Sequence, residues 1–68
     1  MPERSLIAQK VRERRKALHL RQAELAELAG VSARFVFAVE AGKASVQLDK
    51  LQHVLNVLGV DLVPVVRT

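Results

Sequence analysis

The sequence predicts a mainly α fold of four short helices, two of them meeting in a tight turn, followed by one short strand. Three observations carry this. Apolar residues recur at helical spacing in four segments between residues 5 and 58. A glycine stands directly after three of those segments, where helices stop on a left-handed residue. Residues 60–66 are rich in β-branched side chains and have no helical period.

Leu6, Ile7, Val11 and Leu18 form one apolar stripe of a first helix over residues 5–18, with Ser5 as its cap. A second helix over residues 21–29 turns Leu25, Ala26 and Leu28 inward. Ala29-Gly30-Val31-Ser32 then forms the turn. Gly30 reaches positive φ without steric cost, and Ser32 caps the next helix. That third helix, over residues 33–41, buries Val36 and Val39 and ends at Gly42. Phe35 and Phe37 are two residues apart and cannot share a helical face. Phe35 is assigned to packing near the domain or dimer junction, and Phe37 to the outer face. A loop over residues 44–46 leads to a fourth helix over 47–58, with Leu48, Leu51, Val54, Leu55 and Leu58 inward and Gly59 as its left-handed cap.

The tail reads as a strand. A lone strand cannot satisfy its own backbone N–H and C=O groups. No other segment resembles a strand, so the partner is expected from a second copy of the chain. Pro64 lacks a donor and belongs at an edge. Val60, Leu62, Val63, Val65 and Val66 are the expected dimerisation residues, and the chain divides into a helical domain over 1–59 and a dimerisation strand over 60–68.

With 68 residues the chain is one domain at most. A domain of this size buries only about 60% of the surface that its unfolded chain exposes, so it is marginal alone. There is no cysteine, which excludes disulfides and cysteine-based zinc sites. Two histidines, His19 and His53, cannot close a metal site without carboxylate help. No metal, cofactor or catalytic residue is expected: there is no Gly-rich phosphate loop, no thiol nucleophile, and little volume for a substrate pocket. No apolar run approaches the ~18 residues of a membrane span. Pro2 and the charges after it do not make a signal peptide, so a soluble, cytoplasmic protein is expected. The net charge of +4 is uneven. Residues 1–21 hold seven Lys/Arg against two Glu, a net +5, and residues 22–68 hold four against five Asp/Glu, a net −1. A basic segment beside a nearly neutral body suits a polyanion, although Lys10 to Lys16 can equally be a solvated helix face.

The segment from Gln22 to Lys43 shifts the balance toward nucleic acid. Two short helices joined by a tight turn make a helix-turn-helix, and its second helix presents Ala33, Arg34, Phe37 and Ala38 outward, where base edges are read. Arg34 offers a two-pronged fork to guanine O6/N7, a contact worth ~1–3 kcal/mol of discrimination. A phosphate contact from the same side chain stays open. Arg12, Arg14 and Lys16 are expected to be exposed, with one or two reaching phosphate.

The run Val11-Arg12-x-Arg14-Arg15-Lys16-x-Leu18, then Gln22-Ala23-Glu24-Leu25-Ala26, Gly30-Val31-Ser32 and Glu40-x-Gly42-Lys43, resembles the Xre/Cro-type helix-turn-helix of phage repressors. The similarity covers about residues 5–59 and implies a lambda-repressor-like domain. Arg34-Phe35-Val36, the short connection from Gly42 to Leu48 and the apolar tail are similar to HipB-type antitoxins. Those proteins pair strands of two subunits, repress their own operon and bind a HipA-type kinase toxin. The resemblance implies that Gln22 anchors a phosphate and braces the third helix, and that Ser32, Ala33, Arg34, Phe37 and Ala38 face the groove. It also implies that Lys43 touches the DNA backbone and that Arg15 pairs with Glu40. The chain departs from the pattern at His19, where the family has glycine, and at Arg21, which replaces a Ser/Thr cap at a cost of about 1 kcal/mol while adding a cation near phosphate. Three readings follow: a homodimeric antitoxin on a palindromic operator, an autonomous repressor without a toxin, and a protein-interaction module on the same fold.

Overall fold

Four helices are present among the described residues: α1 (Glu3–Ala17), α2 (Gln22–Ala29), α3 (Ala33–Glu40) and α4 (Leu48–Leu58). The computed structural model describes residues 3–43 and 45–66, so Ala44, Arg67 and Thr68 of the expected loop and tail lie outside the described residues. Each helix is short because each stops on the same hydrogen-bonded motif. At the end of α1, Leu20 N–H donates to Arg15 C=O and His19 N–H to Lys16 C=O, both at 3.0 Å. The same pair of bonds recurs after α2 (Val31 to Ala26, Gly30 to Glu27), after α3 (Lys43 to Ala38, Gly42 to Val39) and after α4 (Val60 to Leu55, Gly59 to Asn56). The motif requires one left-handed residue, and the residues in that position are His19 (φ 58°), Gly30 (71°), Gly42 (79°) and Gly59 (68°). Three are glycine, and His19 alone adopts the conformation with a side chain.

One core results. Val11 of α1, Leu25, Ala26 and Ala29 of α2, Val36 and Val39 of α3, and Leu51, Val54, Leu55 and Leu58 of α4 form a single buried cluster. Ile7, Val31, Phe35, Val46, Val57 and Val60 pack against its edge. Each fully buried Leu or Val stabilises by roughly 1.5–3 kcal/mol over exposure. Leu25, Leu55, Leu58, Val11, Val36 and Val54 are the largest side chains buried to that degree, so all four helices contribute to the same centre.

Several expectations need correction. Helix α1 begins at Glu3, so Ser5 lies within its first turn and does not precede it. In the α1 stripe, Leu6 and Leu18 are exposed, and Ala8 joins Val11 inside. Leu28 is 62% exposed, because the inward face of α2 continues through Ala29. Leu48 is 64% exposed: it is the first residue of α4, one turn before burial begins at Leu51. The helices also start or stop one residue inside the expected limits: Arg21 and Gln47 are caps, and Leu18 and Ala41 lie in turns.

The tail differs most. No strand is present among the described residues; residues 60–66 form no ladder, because a ladder needs a second backbone and the chain supplies none. Val60 folds back onto the core, while Leu62, Val63, Val65 and Val66 are exposed.

The left-handed positions set a stability test. His19→Gly relieves roughly 1–2 kcal/mol of left-handed strain against about 0.4–1 kcal/mol of added unfolded-state entropy, so it should stabilise by up to about 1.6 kcal/mol. Gly30→Ala should destabilise by about 1 kcal/mol through the backbone alone, because a Cβ there meets no atom within 4 Å. Denaturant midpoints of the two variants, moving in opposite directions, check both; a destabilised His19→Gly contradicts the strain argument.

Candidate nucleic-acid interface

Helix α3 is laid on the core by Val36, Val39 and half-buried Phe35, which leaves its opposite face outward. Ala33 and Arg34 are exposed, Ala38 is half-buried and Phe37 is 62% exposed. The first turn of α3 is closed by Ser32, whose Oγ accepts the Phe35 N–H at 3.0 Å. The hydroxyl proton of Ser32 is left for another acceptor.

At the start of α2, Arg21 has no side-chain acceptor with which to cap the helix. Its backbone N–H instead donates to Glu24 Oε1 at 2.8 Å, which supplies the reverse half of a capping box. This bond, with weaker help from the Arg21 guanidinium at 3.4 Å, holds the Glu24 carboxyl below the usual carboxylate range. The Arg21 side chain is 86% exposed, so its charge stays accessible.

Beneath α3 lies a buried ion pair. Arg15 Nε donates to Glu40 Oε2 at 2.6 Å, and Arg15 Nη2 to Glu40 Oε1 at 3.0 Å. Arg15 Nη1 donates to Leu20 C=O at 2.9 Å, and the Gln22 amide to Glu40 Oε1 at 3.3 Å. The two charged side chains are only 13% and 5% exposed. The Glu40 hydrogen bonds, opposed in part by burial, push the Arg15 guanidinium above its ordinary range. This network joins the end of α1, the α1–α2 turn, the start of α2 and the end of α3. Gln22 is therefore a brace, with its carbonyl oxygen and second N–H still to spend. Among the described residues no buried side-chain polar atom lacks a partner.

Two clefts border the outward face of α3. One is lined by Ser32, Arg34, Phe35, Ala38 and Lys43, joined by Ser45, Val46, Gln47 and Lys50 from the approach to α4 and its first turn. The other is lined by Arg12, Arg15 and Lys16 of α1, by Gln22, and by Phe37, Glu40 and Ala41 at the end of α3. Arg34 and Lys43 thus share one cleft, Gln22 and Phe37 share the other, and Arg21 belongs to neither. Arg14 is drawn away: its Nε donates to Leu58 C=O at 3.1 Å, placing a cation at the negative end of α4. Lys50 escaped sequence reasoning, which considered only the inner face of residues 47–58 and His53. A signal was present, since a lysine in the first turn of a helix opposes the macrodipole. Among the described residues no cluster of three or more His, Cys, Asp or Glu side chains could hold a metal ion, and no helix is long and apolar enough to cross a membrane.

The chain matches the Helix-turn-helix family over residues 11–65 and belongs to that family. It is also similar to the uncharacterized HTH-type transcriptional regulator y4mF of Sinorhizobium fredii, with 51% identity over 49 residues, which is 72% of this chain. The aligned part is 64% of the length of that relative.

The buried pair should be strongly coupled. Removing one partner leaves the other charge stranded in the interior, so Glu40→Gln and Arg15→Met should each cost on the order of 3 kcal/mol. The double variant should cost less than the two losses combined, as measured by denaturant titration of the full cycle. Additive losses contradict direct coupling.

Proposed function

We propose that this helix-turn-helix protein is a sequence-specific DNA-binding transcription regulator that represses from a palindromic operator as a homodimer. The observation that carries the reading is the outward face of α3. Arg34 and Phe37 are exposed, Ala38 is half-buried outside the core cluster, and Ser32, Gln22 and Lys43 border them with hydrogen-bond donors and charge. In this reading α3 enters the major groove. Arg34 takes a guanine edge, Phe37 meets a thymine methyl, and Ala33 and Ala38 permit close approach. Ser32, Gln22, Arg21 and Lys43 take phosphates, which position the helix without reading sequence. Membership in the family supports this, as does the name of the relative from Sinorhizobium fredii.

The homodimer reading is supported by the tail. Val65 and Val66 are 81% and 87% exposed, and no backbone hydrogen bond joins residues 61–66 to the rest of the described chain. Antiparallel pairing of two tails around a twofold axis satisfies the facing N–H and C=O groups of both. That axis sets two copies of α3 about 34–36 Å apart, one turn of DNA. An antitoxin role, with a HipA-type kinase as partner, is supported by the resemblance at Arg34-Phe35-Val36, by the short link from α3 to α4 and by the apolar tail. A kinase-like reading frame beside the gene separates this from an autonomous repressor.

Arg34→Ala should lose ~1–3 kcal/mol of discrimination between the operator and a random duplex, whereas Lys43→Ala should weaken both about equally. Titrations of the two duplexes in parallel check this, and an unchanged operator preference in the Arg34 variant contradicts base reading. Deleting residues 60–68 should convert a dimer into a less stable monomer with much weaker operator binding. Sedimentation checks it; a truncated protein that stays dimeric at micromolar concentration contradicts pairing through the tail.

A further inference from the structure

Hydroxyl groups are scarce in this chain: Ser5, Ser32, Ser45 and Thr68 carry all of them. Two of the four, Ser32 and Ser45, line the cleft between α3 and the start of α4. Their duties differ. Ser32 Oγ accepts the Phe35 N–H and so caps α3. Ser45 belongs to neither helix; it is exposed in the irregular link that joins them. Around it the same cleft is lined by Arg34, Lys43 and Lys50 and, among the described residues, by no carboxylate. Lys43 lies just before Ser45 in the link, and Lys50 stands in the first turn of α4, where the helix dipole opposes a cation. An exposed nucleophilic oxygen is thus surrounded by three cations, one of them held at an electrostatic cost.

We propose that Ser45 is a phosphorylation site, and that a phosphate there draws in the cations of its cleft and switches off DNA binding. The switch rests on the DNA-binding reading above; the docking of the phosphate on Arg34, Lys43 and Lys50 does not. The partner is a serine kinase carrying a nucleoside triphosphate. The Ser45 oxygen forms a bond to the γ-phosphorus as the bond from that phosphorus to the bridging β-phosphate oxygen breaks. The nucleoside diphosphate leaves with the electron pair, and the hydroxyl proton passes to a base of the kinase. The link presents Ser45 to such an enzyme without unwinding α3 or α4, whereas Ser32 is tied into a cap. Once attached, the group carries about −1.5 to −2 charges and three acceptor oxygens. Hydrogen bonds from guanidinium and ammonium groups to such oxygens are roughly twice as strong as neutral ones. Inhibition then has two causes. Arg34 and Lys43, the base reader and a backbone contact of the proposed interface, are occupied from within. The remaining negative charge stands beside α3 and repels the DNA phosphates.

The test uses the full chain, made by chemical synthesis with and without a phosphate on Ser45. Phosphorus NMR against pH reads the docking without any DNA: the second ionisation of the phosphate should fall from about 6 to about 5, and Lys50→Gln should bring it part of the way back. Binding to a random-sequence duplex reads the switch. Withdrawing two cations should lower the magnitude of the slope of log affinity against log salt by about 1.8, which at roughly 0.1 M salt is about 60-fold in affinity. Mass spectrometry of the protein recovered from its own cells should find the phosphoryl group on the peptide that contains Ser45. A phosphate that ionises as it does in a free peptide overturns the docking. A steep slope that phosphorylation leaves unchanged overturns the switch and spares the DNA-binding reading. A flat slope in the unmodified chain overturns that reading and the switch together. A Ser45 peptide without phosphate in growing and starved cells alike overturns the assignment of the site.

Discussion

One buried ion pair ties down the end of α3, whose apolar residues lay it on the core. Arg15 and Glu40 sit 25 residues apart in sequence and meet at 2.6 Å under the helix that carries the candidate interface. A carboxylate 5% exposed is costly unless its oxygens are fully engaged, and here Arg15 and Gln22 engage them. The third prong of the Arg15 fork takes the Leu20 carbonyl. The pair and its hydrogen bonds therefore tie the ends of α1 and α3 to the start of α2. Gln22 makes this relevant to function, because the amide that braces Glu40 also borders the outward face of α3. A shift of α3 would strand a charge, so the interface is held in place before any ligand arrives.

Brevity of the helices is the second constraint. Eight residues in α2 and eight in α3 are too few to be stable as isolated helices, which need roughly 12–15 residues even in favourable sequences. Their stability comes from the shared core and from terminations that satisfy the last carbonyls. His19 carries the same backbone conformation as the three glycines, so the chain tolerates local strain at the α1–α2 turn. That turn also supplies the Leu20 carbonyl to Arg15, which ties the strained residue to the network beneath α3.

Much of this was legible in the sequence, and the failures have physical reasons. The four-helix pattern, the left-handed glycine at residue 30 and the Ser32 cap follow from local rules, because turn chemistry acts over a few residues. Leu28 and Leu48 were misassigned because an eight-residue helix spans barely two turns, too few for periodicity to choose between adjacent faces, and a first-turn residue can be in phase yet uncovered. The Arg15–Glu40 contact is invisible to periodicity; its pairing was suggested by family resemblance. Lys50 was missed because its place beside α3 is created only when α4 folds back past the Gly42 turn. The tail could not be settled from one chain, since β-branched composition states a preference for pairing and not the partner.

In the proposed function α3, braced from below and bordered by basic side chains, is the surface that meets DNA. The most direct measurement is amide chemical-shift mapping of the intact chain on titration with a duplex that the protein itself selects from a random pool. The largest changes should cluster at Gln22, at residues 32–38 and at Lys43, with the buried face of α4 unmoved. Changes centred on the apolar tail and the start of α1, with α3 silent, would contradict it.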